Sequence, residues 1–320
     1  MNQLKWSHGA MSILQLSQKK LTWRMADISA EVGLTMCCVH SYLQELVQLR
    51  CGITCKDAIV QFRRPLFLSD SRYIEKIMSL NANCFSSYWL LDSTQSYCLR
   101  RQHCQNLEFC LTEHQLLGKG RRSNRWQSRF ASSILFTYKT TVSTHALAGL
   151  FSPCLALVIV ETLALLFPGV ALQVKWPNDI MLNALKLSGI LVDVVFSGER
   201  VVVIVGVGFN FQSVDFDGLC AAFLVNNPRF MIDKTDLTLM LMQCCRRVKR
   251  ALDAGGLESF VRRYNEKHLL HGKAITFDFK DERRTGVVKG ISDDGALRIQ
   301  SASGEVLLYS SESVSTVRSV

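Results

Sequence analysis

The sequence predicts an α+β protein in three parts, and three observations carry that reading. A helical first segment is interrupted at a glycine, strands alternate with helices from Asn83 onward, and residues 271–320 are short strands separated by turn dipeptides. The expected divisions are 1–68, 83–270 and 271–320; a prior of about 150 residues per domain gives about two for a chain of 320 and leaves room for a small third.

In the first part, residues 26–32 read as a short helix stopped by Gly33, a residue that suits the left-handed position after a helix. Thr35 then caps a second helix, on which Val39, Leu43, Leu46 and Val47 share a face. Helix, glycine turn and helix over 25–44 describe a helix-turn-helix, and equally an ordinary αα-corner that never touches DNA.

In the middle part, strands are expected over 85–91, 134–138, 173–176, 190–196 and 201–207, with 108–114 a further candidate. Ser152 and Pro153 read as N-cap and first helical residue, and a second helix covers 237–252. Residues 146–167 are apolar, with Glu161 their one charge, but a start at Pro153 leaves about fifteen residues, short for a bilayer. A buried core helix is therefore expected, and no membrane contact. In the last part, strands over 274–279, 284–291, 296–301 and 305–309 flank turns at Asp293-Asp294-Gly295 and Ser303-Gly304, giving a small barrel-like β-domain.

Composition bounds the rest. Hydrophobic residues make up 48% of the chain, which argues against global disorder, and the net charge of +10 favours an acidic partner: nucleic acid, membrane surface or phosphorylated ligand. Twelve cysteines include no CxxC pair, so reduced thiols acting as small hydrophobes are expected in a cytoplasmic protein, with no structural metal. The start has no apolar run followed by a cleavage site, so no secretory signal is expected.

Chemistry concentrates in the middle part. Gln115 precedes the loop 118–126, GKGRRSNRW, where two glycines allow close backbone approach and Lys119, Arg121, Arg122 and Arg125 supply four cations. Such a loop offsets the repulsion of two anions brought together, although a solvated basic loop or a nucleic-acid patch reads the same way. In KWPND, 175–179, Pro177 fixes the chain's exit from a strand and presents Asn178 and Asp179 at a turn. That carboxylate suits magnesium beside phosphates or an incoming amine, and equally a plain capping turn. Lys186 precedes Gly189 at the mouth of the next strand, where a surface lysine is also common. Gly206 and Gly208 end a buried strand and leave room for a ligand or another backbone; without a third glycine they are no dinucleotide fingerprint.

The order GKGRRSNRW, KWPND, KLSGILVD and GVGFN, with Asp92-Ser93-Thr94-Gln95 upstream, resembles the biotin–protein ligases. With a helix-turn-helix in front and a β-domain behind, the likeness is to the bifunctional type that also represses the biotin biosynthetic operon. The resemblance implies a winged helix-turn-helix, a class II synthetase-like ligase core and an SH3-like barrel. It implies biotin, ATP and Mg2+ as ligands, biotinyl-5′-AMP as intermediate, and a lysine of the biotin carboxyl carrier protein of acetyl-CoA carboxylase as acceptor. Operator DNA and an adenylate-promoted homodimer complete the expected partners.

Position by position, Ser93, Thr94, Gln95, Gln115, Lys119, Gly120, Arg121, Lys186 and Gly189 are implied in biotin binding. Arg121, Arg122, Trp126, Asn178 and Asn210 are implied for the adenylate, and Lys186, Asp179 and Arg121 for catalysis. Met25, Cys37, His40, Ser41 and Gln44 are implied for DNA. The chain departs from the family at Gln95 (usually Asn), Lys119 (Arg), Ser123 (Gly) and Leu117 (a small residue). No tryptophan lies in 212–237 to meet adenine, leaving Phe211, Phe223 or Phe230 as substitutes.

Cations are absent from 35–49, and phosphate contacts supply most affinity for DNA, so such contacts would come from the flanks. Lys5, Lys19, Lys20, Arg24, Arg50, Lys56, Arg63 and Arg64 outnumber four acids there, a net +4. The stretch 57–64, DAIVQFRR, lacks the glycines usual in a wing. Three alternatives stay open: a monofunctional biotin ligase with a vestigial helix-turn-helix, a lipoate-type ligase, and a regulator that only senses a small acid.

Overall fold

Three sheets organise the described residues. The computed structural model describes residues 8–48, 51–197, 200–212, 222, 224, 232–255, 259–280, 282–311 and 313–319. Phe223, Phe230, Lys5 and Arg50 lie outside the described residues.

The N-terminal part comprises α1 (His8–Gln15), β1 (Thr22–Arg24), α2 (Met25–Val32), α3 (Met36–Gln48), β2 (Ile53–Lys56) and β3 (Ile59–Phe62), its strands ordered β1-β3-β2. Gly33 takes φ 66° after α2, and Cys38 N donates to Thr35 Oγ1 at 3.3 Å, so both helix-end expectations hold. Val39, Leu43 and Leu46 face a core with Ile13, Leu14, Ile28, Val60 and Phe62. Val47 falls off that stripe and is exposed. Met25 is corrected too: as the first residue of α2 it is buried in the same core and offers nothing to DNA. Asp57 and Ala58 make the turn between β2 and β3 without glycine, both adopting positive φ, 51° and 60°.

The central part follows as α4 (Ser71–Ile77), β4 (Phe85–Leu91), α5 (Thr94–Leu99), β5 (Phe109–Gln115), β6 (Ser133–Val142), α6 (His145–Leu166), β7 (Leu172–Lys175), β8 (Asp179–Leu182), β9 (Leu185–Ser197), β10 (Arg200–Asn210), α7 (Lys234–Asp253) and α8 (Phe260–Lys267). Its seven strands run β4-β5-β6-β10-β9-β8-β7, and β4–β5 is parallel while the other pairs are antiparallel. Helix α6 corrects the sequence reading. It begins at His145 under a Thr144 cap, whose hydroxyl accepts from Leu147 N, and Pro153 lies inside it. A proline there removes one helical N–H, a loss offset by burial of both flanks. At 22 residues α6 is long and apolar enough to cross a membrane, and 61% of its apolar window is buried inside the fold. Leu155, Ile159, Val160 and Leu163 on it join the main core with Phe136, Val203 and Val205 from the sheet.

The C-terminal part holds β11 (Ala274–Phe279), β12 (Glu282–Ile291), β13 (Leu297–Gln300), β14 (Val306–Tyr309) and β15 (Val314–Ser319), ordered β14-β13-β12-β11-β15. The four expected strands are present and β15 is a fifth. Ile275, Phe277, Ile291 and Leu297 join the central core, and Trp176 Nε1 donates to Gly295 O at 2.9 Å, so the two parts are packed as one. All cysteines among the described residues are free thiols, and six of them are buried.

Candidate functional site

Three elements converge on one cavity of about 550 Å³: the start of α5, the basic loop between β5 and β6, and the mid-sheet stretch of β8, β9 and β10. Ser93, Thr94, Gln95, Gln115, Lys119, Gly120, Arg121, Arg122, Trp126, Asn178, Asp179, Lys186 and Gly189 all line it, so segments spread over nearly a hundred positions meet in space. Asn210 does not. Its amide donates to Lys186 O at 3.2 Å, placing it behind the wall as a brace for the β9 backbone. Phe211 is likewise core, buried edge-on against Phe67 with ring centroids 5.9 Å apart.

The floor is a polar network. Ser93 caps α5, its hydroxyl accepting from Ser96 N. Arg100 donates twice to Asp92, at 2.7 and 3.1 Å, and holds that carboxyl below its usual range while fixing the turn before Ser93. Thr94 donates to Gln115 Oε1 through its amide (2.8 Å) and its hydroxyl (3.1 Å). Thr137 Oγ1 donates to Thr94 Oγ1 at 2.9 Å and lies 3.2 Å from Gln95 Oε1. Gln95 Nε2 donates to Asp193 Oδ2 and to Ile204 O, both at 2.9 Å. Thr137 and Asp193 had no assigned role in the sequence reading; the available signal was a threonine following the apolar run ILF and an aspartate inside the apolar run GILVDVV.

Lys186 and Asp179 form the charged wall, Nζ to Oδ1 2.7 Å. The expected placement is adjusted: Lys186 is inside β9, and Asp179 opens β8, because a register shift at Ile180/Met181 brings Gly189 opposite Asp179. Gly206 and Gly208 also lie within β10, and Gly208 pairs Gly189 across the ladder. Their missing side chains make room for neighbours. A Cβ at Gly208 would stand 2.5 Å from the Trp126 indole, one at Gly206 2.6 Å from Gln95 Oε1. Trp126 lies across Gly208 and its ladder partner Gly189, with Lys186 Nζ 5.6 Å from its ring centre.

The basic loop is itself a tight hairpin. Lys119 bridges Arg125, Asn124 N donates to Arg121 O at 3.1 Å, and Arg122 and Ser123 occupy the turn with φ 53° and 61°. Arg121 and Arg122 both donate to Ser311 O, and Arg122 also to Val314 O, so the loop is held by the C-terminal part. Val314 and Val317 complete the cavity wall.

Fold and cavity define a class: a mixed sheet with a cationic hairpin loop beside a polar-floored pocket, suited to anionic ligands. Residues 89–210 match the Biotin/lipoate A/B protein ligase family, and residues 270–313 match the Biotin protein ligase C terminal domain. The chain belongs to the biotin–protein ligases. It is 27% identical over 240 residues to "Bifunctional ligase/repressor BirA" of Escherichia coli, covering 70% of this chain and 73% of that one. The protein of the same name from Salmonella typhimurium is 26% identical over 301 residues, covering 89% and 93%. In fold it is similar to the biotin protein ligase of Aquifex aeolicus solved with biotin and ATP, with TM-score 0.62 at 20% identity over 74% of this chain and 99% of that one.

Proposed function

We propose that this chain joins biotin to ATP and transfers it to a lysine of a carrier protein, the biotin carboxyl carrier protein of acetyl-CoA carboxylase. The supporting observation is the polarity of the pocket floor. Gln115 Oε1 accepts two bonds from Thr94, which leaves its amide nitrogen facing Gly118 and the cavity as a donor. Gln95 spends its nitrogen on Asp193 and Ile204, which leaves its oxygen over Gly206 as an acceptor. A cyclic urea, with N–H groups and a carbonyl on one ring, satisfies both; the dithiolane of lipoate has neither.

In the first step a biotin carboxylate oxygen attacks the α-phosphorus of ATP, the bond to the β-phosphate oxygen breaks, and pyrophosphate leaves. Lys186 and Arg121 offset the gathering negative charge. In the second step the carrier amine attacks the acyl carbon, loses a proton, and AMP leaves; Asp179 is placed to take that proton or to orient the amine. Among the described residues no cluster of three metal-ligating side chains exists, and Asp179 is the one carboxylate lining the cavity. Asp179 would be the side chain to meet magnesium carried on the nucleotide phosphates.

The same reading extends to DNA. Cys37, His40, Ser41 and Gln44 are exposed on α3, and the β2–β3 hairpin follows it in the chain, an order that supports the winged helix-turn-helix reading. Two such units in an adenylate-promoted homodimer would place the biotin operon under control of vitamin supply, in the cytoplasm. The decisive assay is biotin-dependent pyrophosphate exchange, run beside lipoate. Lys186→Ala is expected to slow it roughly 100-fold, and exchange supported equally by lipoate would refute the biotin assignment.

A further inference from the structure

We infer that Asp193 is a positioning residue that fixes which end of the Gln95 amide meets the ligand, and thereby sets selectivity for a ring N–H; this rests on the pocket being a biotin site. An amide side chain is nearly symmetric in shape, and only its hydrogen-bond partners decide which end is oxygen. At Gln95 the far end meets two groups that can only accept, the Asp193 carboxylate and the Ile204 carbonyl, each at 2.9 Å. A carboxylate has no proton to give, so that end must be the nitrogen.

The near end is then the oxygen, 3.2 Å from Thr137 Oγ1 and stacked over Gly206, where no side chain intervenes between it and the cavity. Reversing the amide would set its oxygen against a negative charge. No ion pair to Asp193 forms among the described residues, and its carboxylate accepts from Gln95. Asp193 stands directly opposite Ile204 in the β9–β10 ladder, so both acceptors ride on adjacent rigid strands rather than on a loop. The family's usual asparagine is one methylene shorter than Gln95, so this arrangement is a property of this chain.

The test compares biotin with two cyclic carbamates in which one or the other ring N–H is replaced by oxygen, using pyrophosphate exchange. Wild type is expected to prefer biotin over one carbamate by roughly ten-fold, the size of one well-placed buried hydrogen bond. In Asp193→Leu that preference should fall to about two-fold, the KM for biotin should rise roughly ten-fold and kcat should stay within about two-fold. Asp193→Asn, which keeps one acceptor oxygen at the same reach, should retain most of the preference. The preference is a ratio measured within each variant, so partial loss of folded protein cancels; Asp193→Ser replaces the leucine variant where leucine prevents folding. An unchanged preference without the carboxylate, a kcat loss at constant KM, or a wild type indifferent to both carbamates overturns the role of Asp193. A wild type that does not activate biotin at all overturns the site reading instead.

Discussion

Ser123 occupies the second position of a two-residue turn with φ 61°, a conformation that costs a residue bearing a Cβ roughly 1–2 kcal/mol and that glycine adopts freely. The sequence already marked this position as one where the family carries glycine; that the backbone requires a left-handed residue there was not legible, because the turn is defined only by pairing of Lys119 with Arg125. Ser123→Gly is expected to favour the closed hairpin by about 0.5–1 kcal/mol after the entropy of the added glycine is counted. Bound adenylate should therefore dissociate about two- to five-fold more slowly in rapid-mixing measurements, and faster release would contradict the argument. A second residue acts through pH. His268 Nε2 accepts from Trp176 N at 3.3 Å, so the proton sits on Nδ1, and burial pushes its pKa down to about 3. Below the unfolded value near 6.5 the unfolded chain binds a proton that the folded one refuses, so stability is complete above that pH and is lost as pH falls toward 3. From pH 6.5 to 4.5 the loss amounts to roughly 2 kcal/mol. His268→Gln keeps an acceptor for Trp176 and should show a correspondingly flatter acid limb in urea titrations.

At the scale of elements, the strands were the most readable part, because long apolar runs such as VVVIVGVGF leave little choice. The sequence misplaced ends. Ser152-Pro153 mimics a helix start, yet α6 runs from His145, since a packed helix tolerates a proline whose neighbours are buried. Strands β8 and β15 escaped notice because four to six residues are too few to carry a clear periodicity. The glycines of β10 were expected to leave room for a ligand or another backbone, and the structure shows side chains packed there: the Trp126 indole over Gly208 and the Gln95 amide over Gly206. Gly208→Ala is expected to displace that ring, lower adenylation at least roughly ten-fold and cost about 1–3 kcal/mol of stability, as overpacking generally does. Gly33→Ala is the control. It has open space around its would-be Cβ and strain only from φ 66°, so it should cost about 1 kcal/mol and leave adenylation unchanged. Equal activity losses in the two variants would mean that Trp126 has no part in the site.

At the scale of the whole molecule, one buried ion pair fastens the parts together. Lys234, at the start of α7, sits 2.5 Å from Glu113 on β5, and both side chains are 1% exposed. Lys234 also donates to Phe67 O and Ala131 O, while Glu113 accepts from Ser69 N at 2.9 Å. The segment leaving the N-terminal part, 66–70, is thereby pinned to the strand that ends in Gln115, two residues from Glu113 and on the cavity floor. Burial pushes the Lys234 ammonium down and Glu113 pulls it back, so the pair persists only as long as both partners are present. Lys234→Met would leave a carboxylate buried with one N–H donor, a loss expected at about 3–5 kcal/mol. Adding Glu113→Leu removes the stranded charge, so the double variant should recover most of that stability in urea unfolding. Connection between the parts should not recover, because Ser69 N and Phe67 O both lose their partners. Limited proteolysis should then cut within 64–70 in the single and double variants alike, while wild type resists. A double variant as unstable as the single one would show that packing, rather than the paired charges, holds this junction.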